Sequence, residues 1–194
     1  MDEQATARRE RNIKVATAAV LALAGGATGF ALARAGIGLN LPFEDAAALF
    51  MAALLLVSAA AALIMLGVRP ASIPKGCGLL QTVVLALAGV MFALPVVASP
   101  PLSPALAFAL VAALLAVQSL ANLMLWRRAD EMLRRVMWET CAVAFWVGQL
   151  ALFLYAAAAR LDLVAEVSAW TLMSVLMALY ILASAVTSVR RGLS

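Results

Sequence analysis

"LWRRADEMLRRVMWETCAV", Leu125 to Val143, sets four arginines, two adjacent acids and a further glutamate between long runs of alanine, leucine and valine. Charge this dense does not lie in hydrocarbon, and the apolar runs on either side are long enough to cross it. The stretch therefore reads as a tight polar turn between two membrane-spanning helices. Trp126 and Trp138 flank it, at the depth where indole rings favour the water–lipid boundary. If the second helix starts near Asp130, then Asp130 stands four residues before Arg134 and Glu131 four before Arg135. Acid-before-base pairs at this spacing support a helix, and acids in a first turn suit its dipole.

The rest of the chain agrees with a lipid setting. Its 194 residues are 66% hydrophobic and 12% charged, with a mean hydropathy of +1.04. A soluble domain is about 45–50% apolar and about 25% charged. A larger core does not absorb that gap, because a domain of this size still has to cover itself with polar surface. Crossing about 30 Å of hydrocarbon takes about 20 apolar residues in a helix. Six stretches qualify: 13–35, 46–67, 78–98, 104–126, 136–159 and 165–189. Charge or Pro/Gly turn signals bound each one, and the alternation of a barrel strand is absent. The expected fold is all-α: a polytopic membrane protein with six transmembrane helices. Residues 1–12 form a tail, 13–189 a single six-helix transmembrane domain, and 190–194 a second tail. The connections are short, so consecutive helices are expected to be antiparallel neighbours. The first stretch has a basic start, but its apolar run exceeds the 7–15 residues of a signal-peptide core, so it reads as a span.

Orientation follows from arginine and lysine. With the N-terminus in the cytoplasm, six spans put twelve of the fourteen basic residues inside, among them Arg127, Arg128, Arg134 and Arg135; only Arg34 and Arg160 fall outside. The reverse threading would violate the positive-inside rule almost completely. Both termini are thus expected in the cytoplasm, in a bacterial inner membrane. The asymmetry explains the pI near 9.7 with no nucleic-acid partner. The expected partners are the lipid bilayer, anionic lipids drawn to the inner basic rim, and other membrane subunits or further copies of the chain.

Candidate sites are few. Glu139 is the acid that falls clearly within a span, and an intramembrane carboxylate raises a functional hypothesis by default. Arg135, four residues back, is an available partner. Gln81, Gln118 and Asn122 fall at similar depth, and Gln118 and Asn122 share a helix face. These residues form either a small polar cluster with Glu139 or hydrogen-bonding glue between helices. Gln149 sits near the middle of the fifth span, with Trp146 and Tyr155 close by. Gly25, Gly29 and Ala33 make a small-residue ridge on the first span, suited to close helix packing.

Several chemistries lack their residues. The chain has no histidine, which removes imidazole ligation and the commonest general base. Cys77 and Cys141 both fall near the reducing side and make a poor metal pair. Both lysines, Lys14 and Lys75, are at the inner surface. There is no phosphate-binding loop and no nucleophile elbow. No metal and no cofactor is expected.

The element N-L-M-L-W-R-R-x-D-E-x-x-R-R-x-x-x-E, Asn122 to Glu139, is followed by two apolar helices and a closing "ALYILASAVTSVRR". Over roughly residues 77–191 this resembles a group of small uncharacterised bacterial inner-membrane proteins that carry a cytoplasmic D-E-x-x-R-R element between helix pairs. The resemblance implies no activity and does not reach the first two spans. The functional expectation is a non-enzymatic membrane component, an accessory or interaction subunit. The alternative is a small-solute or ion transporter or channel using the Glu139 region. Against it, prolines and most glycines sit at span ends, whereas transporter sites often use interrupted helices. A lipid-directed enzyme comes third, for want of a catalytic pair.

Overall fold

A computed structural model describes residues 41–68, 77–97 and 102–191 of the chain. Those residues form five α-helices and no strand: α1 Phe43–Val68, α2 Cys77–Val97, α3 Pro104–Arg128, α4 Glu131–Arg160 and α5 Ala169–Arg190. All five are long and apolar enough to cross a membrane. They correspond to the second through sixth expected spans. The first, 13–35, lies outside the described residues, as do Gly25, Gly29 and Ala33.

The helix starts follow local chemistry. Ser103 caps α3 by accepting from the Leu106 N–H at 3.3 Å, and Pro104 occupies the first helical position, where its missing N–H costs nothing. Asp130 caps α4 in the same way, taking the Leu133 N–H at 2.7 Å. Within the apolar helices, hydroxyls return to carbonyls one turn back: Ser58 to Leu54 at 2.7 Å and Thr82 to Gly78 at 3.0 Å. Such bonds satisfy groups that hydrocarbon would leave unsolvated.

Packing centres on α1. Its Ala48, Met51, Ala52 and Leu55 are buried with Ala88 and Phe92 of α2, and Trp170, Met177 and Ile181 of α5 lean on the same cluster. The Phe92 and Trp170 rings lie 5.7 Å apart. Gly89 lets α1 and α2 approach closely. A Cβ there would stand 2.8 Å from the Leu56 side chain and 3.0 Å from the Ala52 carbonyl oxygen. Among the described helices, the packed pairs run α3–α2–α1–α5–α4.

Three of the four consecutive pairs, α1–α2, α2–α3 and α4–α5, pack together as the short connections suggested, and one junction departs from that expectation. Helices α3 and α4 are joined by two residues, Ala129 and Asp130, yet they do not pack along their lengths. Instead α3 rests on α2, and α4 on α5. Both are apolar on most sides, so no single stripe in the sequence names the neighbour each will choose.

Candidate functional site

The charged turn is where polar chemistry concentrates in the described residues. Helix α3 ends at Arg128, and Ala129 and Asp130 are both extended before α4 begins. Four carbonyls at the end of a helix lack intrahelical partners. Arg134 covers two of them: its Nε donates to the Trp126 oxygen at 3.2 Å, and an Nη to the Arg127 oxygen at 3.3 Å. The Trp126 and Trp138 rings meet edge to face, 5.6 Å apart, across the same turn. Asp130 is committed to its cap. The expected Asp130–Arg134 and Glu131–Arg135 pairs are not the contacts that form: Asp130 is used in capping and Arg134 in carbonyl coverage, while Arg135 turns to Glu139.

Glu139 finds its main partner on another helix. Arg191, just past the end of α5, donates through Nε to one carboxylate oxygen at 3.0 Å and through an Nη to the other. This is a two-pronged guanidinium–carboxylate pair, the geometry that most favours charge-assisted bonds. Arg135 stands on the other side at 3.6 Å, as its i,i+4 spacing suggested. The bond to Glu139 raises the Arg191 pKa above its ordinary value. One step further along α4, the buried Thr140 hydroxyl lies 2.7 Å from that of Thr187 on α5. These two cross-helix contacts tie α4 and α5 together at the arginine-rich end.

The other polar candidates are dispersed. The Gln118 side chain donates to the Val84 carbonyl oxygen at 3.3 Å, bridging α3 to α2. Gln81 and Asn122 are exposed. Among the described residues no hydrogen bond joins Gln81, Gln118 or Asn122 to Glu139. Arg127, Arg128 and Arg135 present exposed guanidiniums around the turn. Cys77 is a buried free thiol and Cys141 an exposed one.

The opposite end of the α4–α5 pair is built differently. Helix α4 closes in a Schellman turn: the Leu163 N–H reaches the Ala158 oxygen at 2.9 Å, and the Asp162 N–H the Ala159 oxygen at 3.1 Å. Asp162 takes the left-handed conformation that this turn requires, with φ of 59°. The Tyr155 hydroxyl then holds the loop, accepting from the Val167 N–H at 2.7 Å and donating to the Ala165 oxygen at 3.2 Å. An open concavity of about 380 Å³ lies on this loop, lined by Ala159, Leu163, Val164, Ala165 and the two acids Asp162 and Glu166.

Arg191, Thr140, Thr187 and the Tyr155 clamp were not among the sequence candidates. Arg191 had one readable signal: six spans bring the last arginine pair to the same side as Glu139. The threonine pair had none, since a lone threonine in an apolar helix usually bonds its own backbone. No protein-family model matches the chain, and no curated protein or solved structure compared with it is significantly similar.

Proposed function

We propose that the protein is a non-enzymatic integral component of a bacterial inner membrane, an accessory or interaction subunit with six spans and both termini in the cytoplasm. The observation that carries the reading is the state of Glu139. Its carboxylate is held by Arg191 and flanked by Arg135, in a contact that fastens α4 to α5. A proton relay or cation site needs a carboxylate free to exchange its partner, and this one is used as a fastener. Several other polar side chains of the described helices act alike. Gln118 bridges two helices, Thr140 and Thr187 bridge two more, and Arg134 caps a helix.

The orientation is supported by the distribution of charge. Arg127, Arg128, Arg134, Arg135, Arg190 and Arg191 gather at one end of the described helices, and Arg160 lies at the far end of α4 beside Asp162 and Glu166. The arginine-rich end is the cytoplasmic one under the positive-inside rule. Its exposed Arg127, Arg128 and Arg135 suit anionic headgroups, at about 1 kcal/mol for each basic residue near the surface. The likeness of the Asn122–Glu139 element to small bacterial inner-membrane proteins fits the same placement.

The transporter reading is tested directly. Wild-type protein and Glu139→Gln are reconstituted in liposomes and assayed for proton- and cation-driven uptake, with thermal melts in detergent alongside. The expected result is no uptake by either protein, with Glu139→Leu melting lower than Glu139→Gln because it strands the Arg191 donors. Uptake by wild type that disappears in a stable Glu139→Gln protein would replace the subunit reading with a transporter.

A further inference from the structure

Gln149 sits where an amide is hardest to leave alone. The charged part of α4 ends at Glu139, so its hydrocarbon stretch runs from about 140 to 159, and Gln149 falls midway. The side of α4 that packs on α5 carries the buried Val136, Thr140 and Gly148. Gly148 faces Leu176 and Leu179 of α5. At 100° per residue, Gln149 points well away from that side. It is exposed, and among the described residues no hydrogen bond reaches its amide. Its neighbours on the same outer face are Ala142 and Ala156, seven residues before and after, with Phe145 and Phe153 between them, all exposed. Lipid covers the apolar members of this face without penalty. It offers nothing to a glutamine amide, which carries two donors and an acceptor.

We propose that a second copy of this chain docks on the outer face of α4, with the Gln149 amides of the two copies hydrogen-bonded to each other across a two-fold axis. The seven-residue recurrence of Ala142, Gln149 and Ala156 is the seam of a left-handed helix pair, in which one polar residue at a central position fixes register. A second copy suits this face for two reasons. Copies inserted in one membrane run parallel, so residue 149 of one meets residue 149 of the other at the same depth. An amide is also self-complementary, its NH2 serving the partner's carbonyl while its own carbonyl receives the partner's NH2. Within the hydrocarbon stretch the face carries no charge that would call for an oppositely charged subunit; Arg135, seven residues before Ala142, lies at its polar end and is paired within the chain to Glu139 at 3.6 Å. Ala142 and Ala156 leave room for the two backbones to approach on either side of the amide pair. The inference goes beyond the subunit reading and holds equally if the protein transports a solute.

The test uses the full chain with Cys77→Ala and Cys141→Ala, in native membranes and in phosphatidylcholine–phosphatidylglycerol liposomes. Single cysteines are placed by Ala142→Cys, Ala156→Cys and Ala144→Cys, the last one turn before Gly148 on the α5 side. Copper-phenanthroline oxidation should join two chains through position 142 and through position 156, but not through 144. In liposomes, energy transfer between labelled copies should show dimers that dilute apart with added lipid. Gln149→Leu should weaken that association about tenfold, the loss of two reciprocal hydrogen bonds. Equal crosslinking at 144 would overturn the proposal, as would an association unchanged in Gln149→Leu. So would a crosslink from position 142 to a cysteine placed within residues 13–35 of the same chain, since that segment would then own the face.

Discussion

Thr140 of α4 and Thr187 of α5 share a hydroxyl–hydroxyl hydrogen bond of 2.7 Å in the buried interface of those helices. The direction of the bond follows from proton count. Thr187 commits its proton to the carbonyl oxygens of Ala183 and Ser184, at 2.9 and 3.1 Å. Thr140 is therefore the donor between the two. Thr140→Val keeps the shape of the side chain and deletes that donor. It should lower stability by about 1 kcal/mol, within the range measured for interhelical bonds in membranes. Thr140→Ser should retain most of the wild-type stability. Thermal unfolding in mild detergent measures both; equal melting of wild type and Thr140→Val would show the bond to be dispensable.

Glycine substitutions separate a tight helix contact from a loose one. At Gly89 an added Cβ meets the Ala52 carbonyl oxygen at 3.0 Å and the Leu56 side chain at 2.8 Å, and the backbone oxygen has no rotamer by which to retreat. Gly89→Ala should force α1 and α2 apart and cost about 1–3 kcal/mol. At Gly148 the same atom would meet only Leu176 and Leu179 methyls, at 3.4 and 3.8 Å, which is ordinary contact. Gly148→Ala should be neutral or mildly stabilising, because alanine is the better helix former. Melting curves of the two variants should move in different directions or by plainly different amounts.

The helices were legible in the sequence because twenty-odd apolar residues between charges have few alternatives in lipid. The stretch 104–126 became Pro104–Arg128, and the stretch 46–67 became Phe43–Val68. The start of α3 stayed at Pro104, where Ser103 supplies the cap, and the start of α4 moved outward to Glu131, where Asp130 supplies one. Helix α4 starts five residues before the apolar run, since Asp130 can open a helix whose first turns are still polar. Neighbour choice was legible from the short connections for α1–α2, α2–α3 and α4–α5, but the break between α3 and α4 was not. A helix that is apolar all round carries no stripe to say whether it will meet the next helix or a distant one, and so α3 and α4 could be adjacent in sequence yet packed on different partners. Glu139 shows the same limit at the scale of one side chain. Local spacing identifies Arg135, whereas the stronger partner, Arg191, is 52 residues away and becomes visible only once α4 and α5 are placed together.

Tyr155 should govern the order of the loop that follows α4. Its hydroxyl serves both Ala165 and Val167, so Tyr155→Phe removes two bonds and leaves the ring in place. The loop should then open more often, while the helices keep their packing. Hydrogen exchange at the Val167 amide should rise by roughly fivefold, the consequence of losing a bond worth about 1 kcal/mol. Global melting should barely move. Protection of Val167 that survives in Tyr155→Phe would mean that the Schellman turn at Asp162 holds the loop without the tyrosine.

Orientation offers the broadest test, because a single error in the span count reverses one terminus. Helices α4 and α5 form a pair in which the start of one and the end of the other lie together, joined by Glu139 and Arg191. A reporter fused after Ser194 must therefore share its side of the membrane with one inserted in the Arg127–Asp130 turn, whichever side that is. Under the positive-inside rule the arginine content of that end predicts the cytoplasmic side. One further crossing, α3, separates it from the segment around Pro101. A phosphatase fusion at Pro101 should then be active outside, and fusions at Ala129 and after Ser194 inactive, with a cytoplasmic fluorescent reporter giving the complementary pattern. A fusion before residue 13 isolates the remaining question of the first span: a cytoplasmic signal there supports six spans, and an external one leaves five. Activity at Ser194 without activity at Pro101 would invert the whole bundle and remove the anionic-lipid role of Arg127, Arg128 and Arg135.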